Sequence, residues 1–386
     1  MADSKSIVIL GGGIGGVVAA RELRRRLPRQ DRVVLVERGT HLLFAPSLLW
    51  ALAGTRTIEQ ISRPLERLER HGIEVMTAEV TEIDPTQRRV TLGDGRSLEA
   101  DALIVALGAE LDPNAVPGLA AAGHCLYTAD GVAGVRRALE GFTGGTVAVL
   151  TAAPGYKCPA APYEAALLLE HMLDEKGLGG SATVEVHAAE PGPMGTAGPE
   201  VSAGVRSMLQ ARGIAYHPDR QVARVDPEAH TMQFSDGTTA GYDLLAFVPH
   251  HRAPKPVRDS PLVDDSGWVP VDRSTLATRF DGVFAIGDVT QIPLAMGKPL
   301  PRAGVFAERQ AIVVARNLAD SFTGGGRSAT FEGKGECFIE TGDGRAGLGR
   351  GDFYAEPTPR VGMHQPSRRW HALKVAFEKY WFRRWL

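Results

Sequence analysis

The chain has 386 residues, with 43 basic and 45 acidic side chains; the net charge of −2 gives no bias toward nucleic acid or an anionic surface. Its length and 44% hydrophobic content allow a sizeable core divided over more than one domain. Three cysteines, Cys125, Cys158 and Cys337, are too few and too scattered for a disulfide framework or a zinc site, and no metal is expected. No apolar run reaches the roughly 18 residues that span a bilayer. No leader-like segment opens the chain, so a soluble body outside the general secretory route is expected.

The first predicted strand, within Ser6–Leu10, runs into Gly11-x-Gly13-x-x-Gly16 and then a helical VVAARELRRRL. A second strand, Arg32–Val36, ends in Glu37, 21 residues beyond Gly16. Strand, glycine turn, helix and acidic residue together make a dinucleotide-binding fingerprint. The glycines permit a tight turn and close approach of a pyrophosphate to helix N–H groups, and Glu37 is placed to accept from a ribose. Two later segments fit the same site: Asp101–Gly108 and Asp281–Asp288 are buried strands ending in Gly108 and in Gly287-Asp288. Taken alone, Asp288 could equally cap a helix before Val289.

The chain is also written twice. Residues 80–103 and 222–245 match at a constant offset of 142: Val80 with Val222, Asp84-Pro85 with Asp226-Pro227, Asp94-Gly95 with Asp236-Gly237, Asp101 with Asp243. Each copy reads as a hairpin around a D-G turn followed by a short buried strand. In the second copy, the strand TVAVL aligns with SIVIL, which puts Thr151, Ala153 and Tyr156 where Gly11, Gly13 and Gly16 stand in the first. A tyrosine at the third position obstructs close backbone approach, so the second fold is retained while its nucleotide is disfavoured. Cys158 follows, with Lys157 before it, Pro159 after it and a helix beginning just beyond. A helix N-terminus and a neighbouring cation both favour thiolate; the alternative is a small residue filling space. Glu164 stands in the first turn of that helix, where the dipole favours it.

These features resemble a two-dinucleotide-fold flavoprotein, and the run C-P-x-x-P-Y-E with its two partner cysteines resembles the sulfide:quinone oxidoreductases and the flavin subunits of flavocytochrome c sulfide dehydrogenases. The resemblance implies an α/β fold of two tandem Rossmann-like domains plus a C-terminal membrane-docking region. Its expected boundaries are 1–115 with 267–320 for the FAD domain, 116–266 for the second, and 321–386 for the C-terminal region. It implies FAD held by Gly11, Gly13, Gly16, Glu37, Pro46 (in the loop Phe44–Ser47, otherwise a plain turn), Val80, Gly108, Gly287 and Asp288. It further implies a redox pair of Cys158 and Cys337 that takes sulfide sulfur and passes two electrons to FAD and then to a quinone. Cys125 matches the third family cysteine, implicated in flavin attachment or sulfur handling, and Glu164 would deliver protons. Phe338 and Phe377 would sandwich the quinone, although Phe338 could be core. The chain departs from the family in reading Arg302-Ala-Gly304 where Lys-Thr-Gly or Lys-Ala-Gly is common. A type II NADH:quinone oxidoreductase and a membrane-docked flavin redox sensor are the alternatives; the missing glycines and the placed cysteines argue against the first.

The Gly-rich stretch 321–328 is read as a linker. The tail, residues 368–386, carries six basic side chains against Glu378 alone, and three of the five tryptophans. As a helix it brings Trp370, Leu373, Phe377, Tyr380, Trp381 and Trp385 near one stripe flanked by cations. That composition suits a helix lying in a membrane interface, with peripheral attachment to the cytoplasmic membrane; packing of the stripe on the body is the alternative. The oligomeric state stays open, a homo-oligomer included.

Overall fold

Two five-stranded parallel sheets carry the repeat. In the computed structural model, which describes residues 4–325 and 328–386, the first sheet runs Val283–Ala285, Ala102–Val105, Ser6–Leu10, Arg32–Glu37, Glu74–Thr77. The second runs His124–Cys125, Leu244–Val248, Gly145–Thr151, Ala182–Ala188, Ala215–His217. The central strands are continuous runs of Val, Ile and Leu because both faces are covered by helices or meanders. The repeat extends to irregularities: each three-stranded antiparallel meander, Val80–Glu99 and Val222–Gly241, shifts register after its first pair, at Val80/Glu82 and Val222/Arg224. Each tight turn places its D-G glycine, Gly95 or Gly237, at φ near +85°.

The C-terminal region is a three-stranded antiparallel sheet, Lys334–Gly342, Arg345–Asp352 and Arg360–Ser367, followed by the terminal helix Arg368–Trp385. The expected linker is only partly a linker: Ser321–Thr323 complete helix Gly304–Thr323, which ends at left-handed Gly324. Gly326 and Arg327 lie outside the described residues.

The terminal helix corrects the single-stripe reading. Trp381 and Trp385 are fully buried, and their indole N–H groups donate to Glu308 at 3.2 and 3.1 Å. Phe382 is buried beside them, and Phe44 packs against Trp381 and Phe382 with ring centroids 4.9 and 5.1 Å apart. Leu373 and Tyr380 are exposed and Trp370 is half-buried, whereas Phe377 packs on the core with its ring 6.1 Å from that of Phe44. Two helix faces therefore share what the sequence presented as one. Among the described residues no helix is long and apolar enough to cross a membrane.

Candidate active site

The first glycine turn is built for a ligand's backbone approach. A Cβ at Gly16 would lie 1.8 Å from the Gly11 carbonyl oxygen, and one at Gly11 (φ +103°) would lie 2.4 Å from that of Ala106. Neither position admits another residue. A Cβ at Gly13 or Gly108 would meet nothing within 4 Å, so these two glycines border open space rather than packing. Glu37 accepts from the Gly12 amide at 2.6 Å and the Gly39 amide at 3.0 Å, which fixes its carboxylate at the mouth of the turn. Val80 is buried and paired with Leu92 close to the end of strand Glu74–Thr77. Pro46 sits in a short 3-10 turn beside buried Phe44.

Gly287 takes φ +75°, and its amide donates to the Gln310 side chain at 2.7 Å. The Asp288 side chain caps no helix. Burial raises its carboxyl above the usual range, opposed by Lys157 and Arg302. Arg302 is the residue that sequence reasoning undervalued. Buried and stacked 3.7 Å over Trp268, it donates to the carbonyls of Asp288 (2.8 Å) and Gly155 (2.9 Å), and its own carbonyl accepts from the Cys158 amide at 2.6 Å. One side chain thus ties the first fold's acidic turn to the second fold's cysteine loop. Its Nη2 is buried without a partner, a donor left aimed at the site. Open glycines, a fixed carboxylate and an unused guanidinium donor fit a dinucleotide carrying phosphates, as FAD does.

The second cradle is filled. Tyr156, buried at the place of the third glycine, donates to Glu190; Tyr163 donates to the same oxygen at 2.5 Å and Thr151 to the other at 2.8 Å. The groups that would meet a second nucleotide satisfy one another instead.

The structure brings Cys158 and Cys337 together. Both are half-buried free thiols close enough to perturb each other's ionisation, and the Cys337 thiol donates to the Phe338 carbonyl at 3.5 Å. Contact with Cys337 holds Cys158 below the ordinary thiol pKa against the effect of burial, while the same contact and burial push Cys337 well above it. The cation that assists Cys158 is Lys374 of the terminal helix. Lys157, expected in that role from its place in sequence, instead lies over the Tyr127 ring at 5.9 Å and acts on Cys125. Cys158 also has φ +48°, a left-handed conformation rare for a side-chain-bearing residue and further disfavoured before proline. The Tyr127 hydroxyl, donating to the Cys158 carbonyl at 3.1 Å, and the Arg302 contact hold it there. Cys337 lies in the middle of strand Lys334–Gly342. Strand alternation puts Phe338 and Glu340 on the opposite face from it.

Cys125 stands apart from the pair, on the short edge strand His124–Cys125 rather than in a loop, with its pKa raised by burial. Glu164 is buried, not merely a dipole partner at a helix start. Lys374 Nζ lies 2.7 Å from its Oε1 and 3.7 Å from Glu340 Oε1, and His371 Nδ1 lies 2.9 Å from Glu340 Oε2. Burial pushes the Glu164 carboxyl up to about 7, against the pull of Lys374. A second gathering, Glu185, His187 and His217, arises from strand register that no sequence spacing displays. The two imidazoles stack at 15°, and both Nε2 atoms approach the same Glu185 oxygen, at 3.2 and 3.4 Å.

Residues 5–311 match the pyridine nucleotide-disulphide oxidoreductase family. The chain belongs to that family. Among members of known kind, it is similar to the sulfide-quinone reductase of Aquifex aeolicus, 27% identical over 98% of this chain and 90% of that one. It is also similar to the mitochondrial sulfide:quinone oxidoreductase of Mus musculus, 24% identical over 94% of this chain and 81% of that one. The crystal structure of the Aquifex aeolicus sulfide:quinone oxidoreductase superposes with a TM-score of 0.87 at 26% identity, covering 98% of this chain and 90% of that one. The family's paired dinucleotide folds are the two sheets described above.

Proposed function

We propose that this protein is a flavin-dependent sulfide:quinone oxidoreductase. The observation that carries the reading is the Cys158–Cys337 thiol pair beside the Gly287-Asp288 turn, next to a second cradle closed by Tyr156 and Glu190. FAD is assigned to the unit formed by 1–115 and 267–320, held by Gly11, Gly13, Gly16, Glu37, Pro46, Val80, Gly108, Gly287, Asp288 and Arg302; when bound, it supplies a two-electron acceptor. The second unit is 116–266, and 321–386 completes the site.

When the two cysteines are joined by a disulfide, hydrosulfide attacks one sulfur, the S–S bond breaks and the other cysteine leaves as thiolate. The cysteine not attacked is released as thiolate with the Lys374 ammonium as its counter-charge, and the attacked one holds the incoming sulfur as a persulfide. Cys125, outside the pair but near Lys157, is the sulfur-handling or flavin-attaching candidate. The quinone ring is placed between Phe338 and Phe377, on the strand face that turns away from Cys337. Attachment at a membrane surface is assigned to the exposed Leu373 and Tyr380 with half-buried Trp370, and Arg369, Lys379 and Arg383 are able to reach headgroups.

The test is anaerobic. The purified flavoprotein is mixed separately with sulfide and with NADH while flavin absorbance is followed. Sulfide bleaches the flavin rapidly, and Cys158→Ser or Cys337→Ser abolishes the effect. Bleaching by NADH at a comparable rate refutes the assignment in favour of an NADH:quinone oxidoreductase.

A further inference from the structure

We propose that His371, Glu340, Lys374 and Glu164 form a proton path from solvent to the buried redox site, with His371 as its entry. The path rests on the quinone-reducing function above. Three elements that are distant in sequence supply it: helix Ala161–Glu175 gives Glu164, strand Lys334–Gly342 gives Glu340, and the terminal helix gives His371 and Lys374 on one face, three residues apart. The inner three side chains are buried, while the His371 side chain keeps 31% of its surface exposed. The contacts are continuous except at one joint. His371 meets Glu340 at 2.9 Å and Lys374 meets Glu164 at 2.7 Å, but Glu340 Oε1 stands 3.7 Å from the Lys374 ammonium and has no hydrogen-bond partner. A buried carboxylate oxygen without a hydrogen-bond partner, 3.7 Å from an ammonium, is an acceptor within that ammonium's reach.

The chemistry requires such a supply. Reduction of a quinone to a quinol consumes two electrons and two protons. Oxidation of hydrosulfide to sulfane sulfur provides the two electrons but one proton only, so the second comes from solvent. His371 takes a proton from water and passes it to Glu340. Lys374 gives a proton to Glu164 and regains one from Glu340 by swinging across the joint. Glu164, whose carboxyl holds its proton to about pH 7, is the inner donor. The other groups facing it are Cys158, Cys337 and the ring of Trp50, over which Lys374 lies at 4.7 Å. The Arg56–Glu378 pair occupies the next turn of the terminal helix.

Stopped-flow reoxidation of sulfide-reduced flavin by decylubiquinone reads the path directly. His371→Ala and Glu340→Gln slow reoxidation on the order of 10–100-fold, and added imidazole restores His371→Ala alone. Unchanged rates in both variants, or a slowed His371→Ala that imidazole does not relieve, overturn the proposal. A second readout needs no turnover. An infrared pH titration of the buried carboxyl band, assigned by its loss in Glu164→Gln, shifts to lower pH in Glu340→Gln because a neighbouring negative charge has gone; an unmoved midpoint likewise overturns it. Sulfide bleaching of the unaltered protein tests the function separately, and the infrared result stands whichever way that falls.

Discussion

Lys374 of the terminal helix pairs with Glu164, Nζ to Oε1 2.7 Å, across 210 residues of chain. Two carboxylates and one ammonium share this buried space, so the balance of charge there sets both stability and titration.

Stability should fall as pH rises through neutrality. Glu164 keeps its proton to about pH 7 when folded, whereas its unfolded counterpart loses it near 4.5. The group's contribution is therefore full below pH 4.5 and is lost as pH climbs to 7, a change of about 3 kcal/mol. Urea denaturation at a series of pH values should show the slope in this window, and Glu164→Gln should flatten it.

Lys374→Met should cost about 3–5 kcal/mol, because it strands two buried carboxylates without a counter-charge. Chemical denaturation at pH 8, above the Glu164 midpoint of about 7, gives the largest difference; a loss below about 1 kcal/mol contradicts the buried pairing.

The Cys158 thiolate depends on its neighbour Cys337. In Cys337→Ala the neighbouring thiol that lowers the Cys158 pKa is gone while burial remains, so alkylation by iodoacetamide should shift to higher pH. The pH profile of alkylation, read by peptide mass, checks this, and an unchanged profile means the thiols do not communicate.

Arg302→Ala should loosen FAD. It removes both carbonyl contacts that join the Asp288 turn to the cysteine loop, together with the stack on Trp268. Retention of FAD on dilution, followed by flavin fluorescence, should weaken on the order of tenfold or more, equivalent to two lost charge-assisted hydrogen bonds.

Leu373→Glu with Tyr380→Glu should reduce co-sedimentation with anionic phospholipid vesicles about tenfold. Both side chains are exposed and neither contributes to the core, so urea stability should hold. Undiminished binding would move the docking surface elsewhere.

Local chemistry made the first cradle and the repeat legible: glycines that no other residue can replace, an acid at a strand end, and a D-G turn written at one offset. The cysteine pair could be paired from sequence only through resemblance, since Cys158 and Cys337 lie on different elements. What stayed hidden had partners far along the chain. Lys374 reads as one more cation in a basic tail, and nothing beside it announces Glu164 or Glu340. Trp381 and Trp385 look like their exposed neighbours until Glu308 is seen to receive their N–H groups. Tyr156 showed that a glycine was missing, but the closing of the cradle needed Glu190, 34 residues on.

The terminal helix presents Leu373 outward and Lys374 inward at adjacent positions. Residues 368–386 therefore cannot be exchanged for a foreign anchor, or trimmed for easier handling, without altering the reactor itself. A protein shortened there would arrive in solution with its thiols intact and their electrostatic partner cut away.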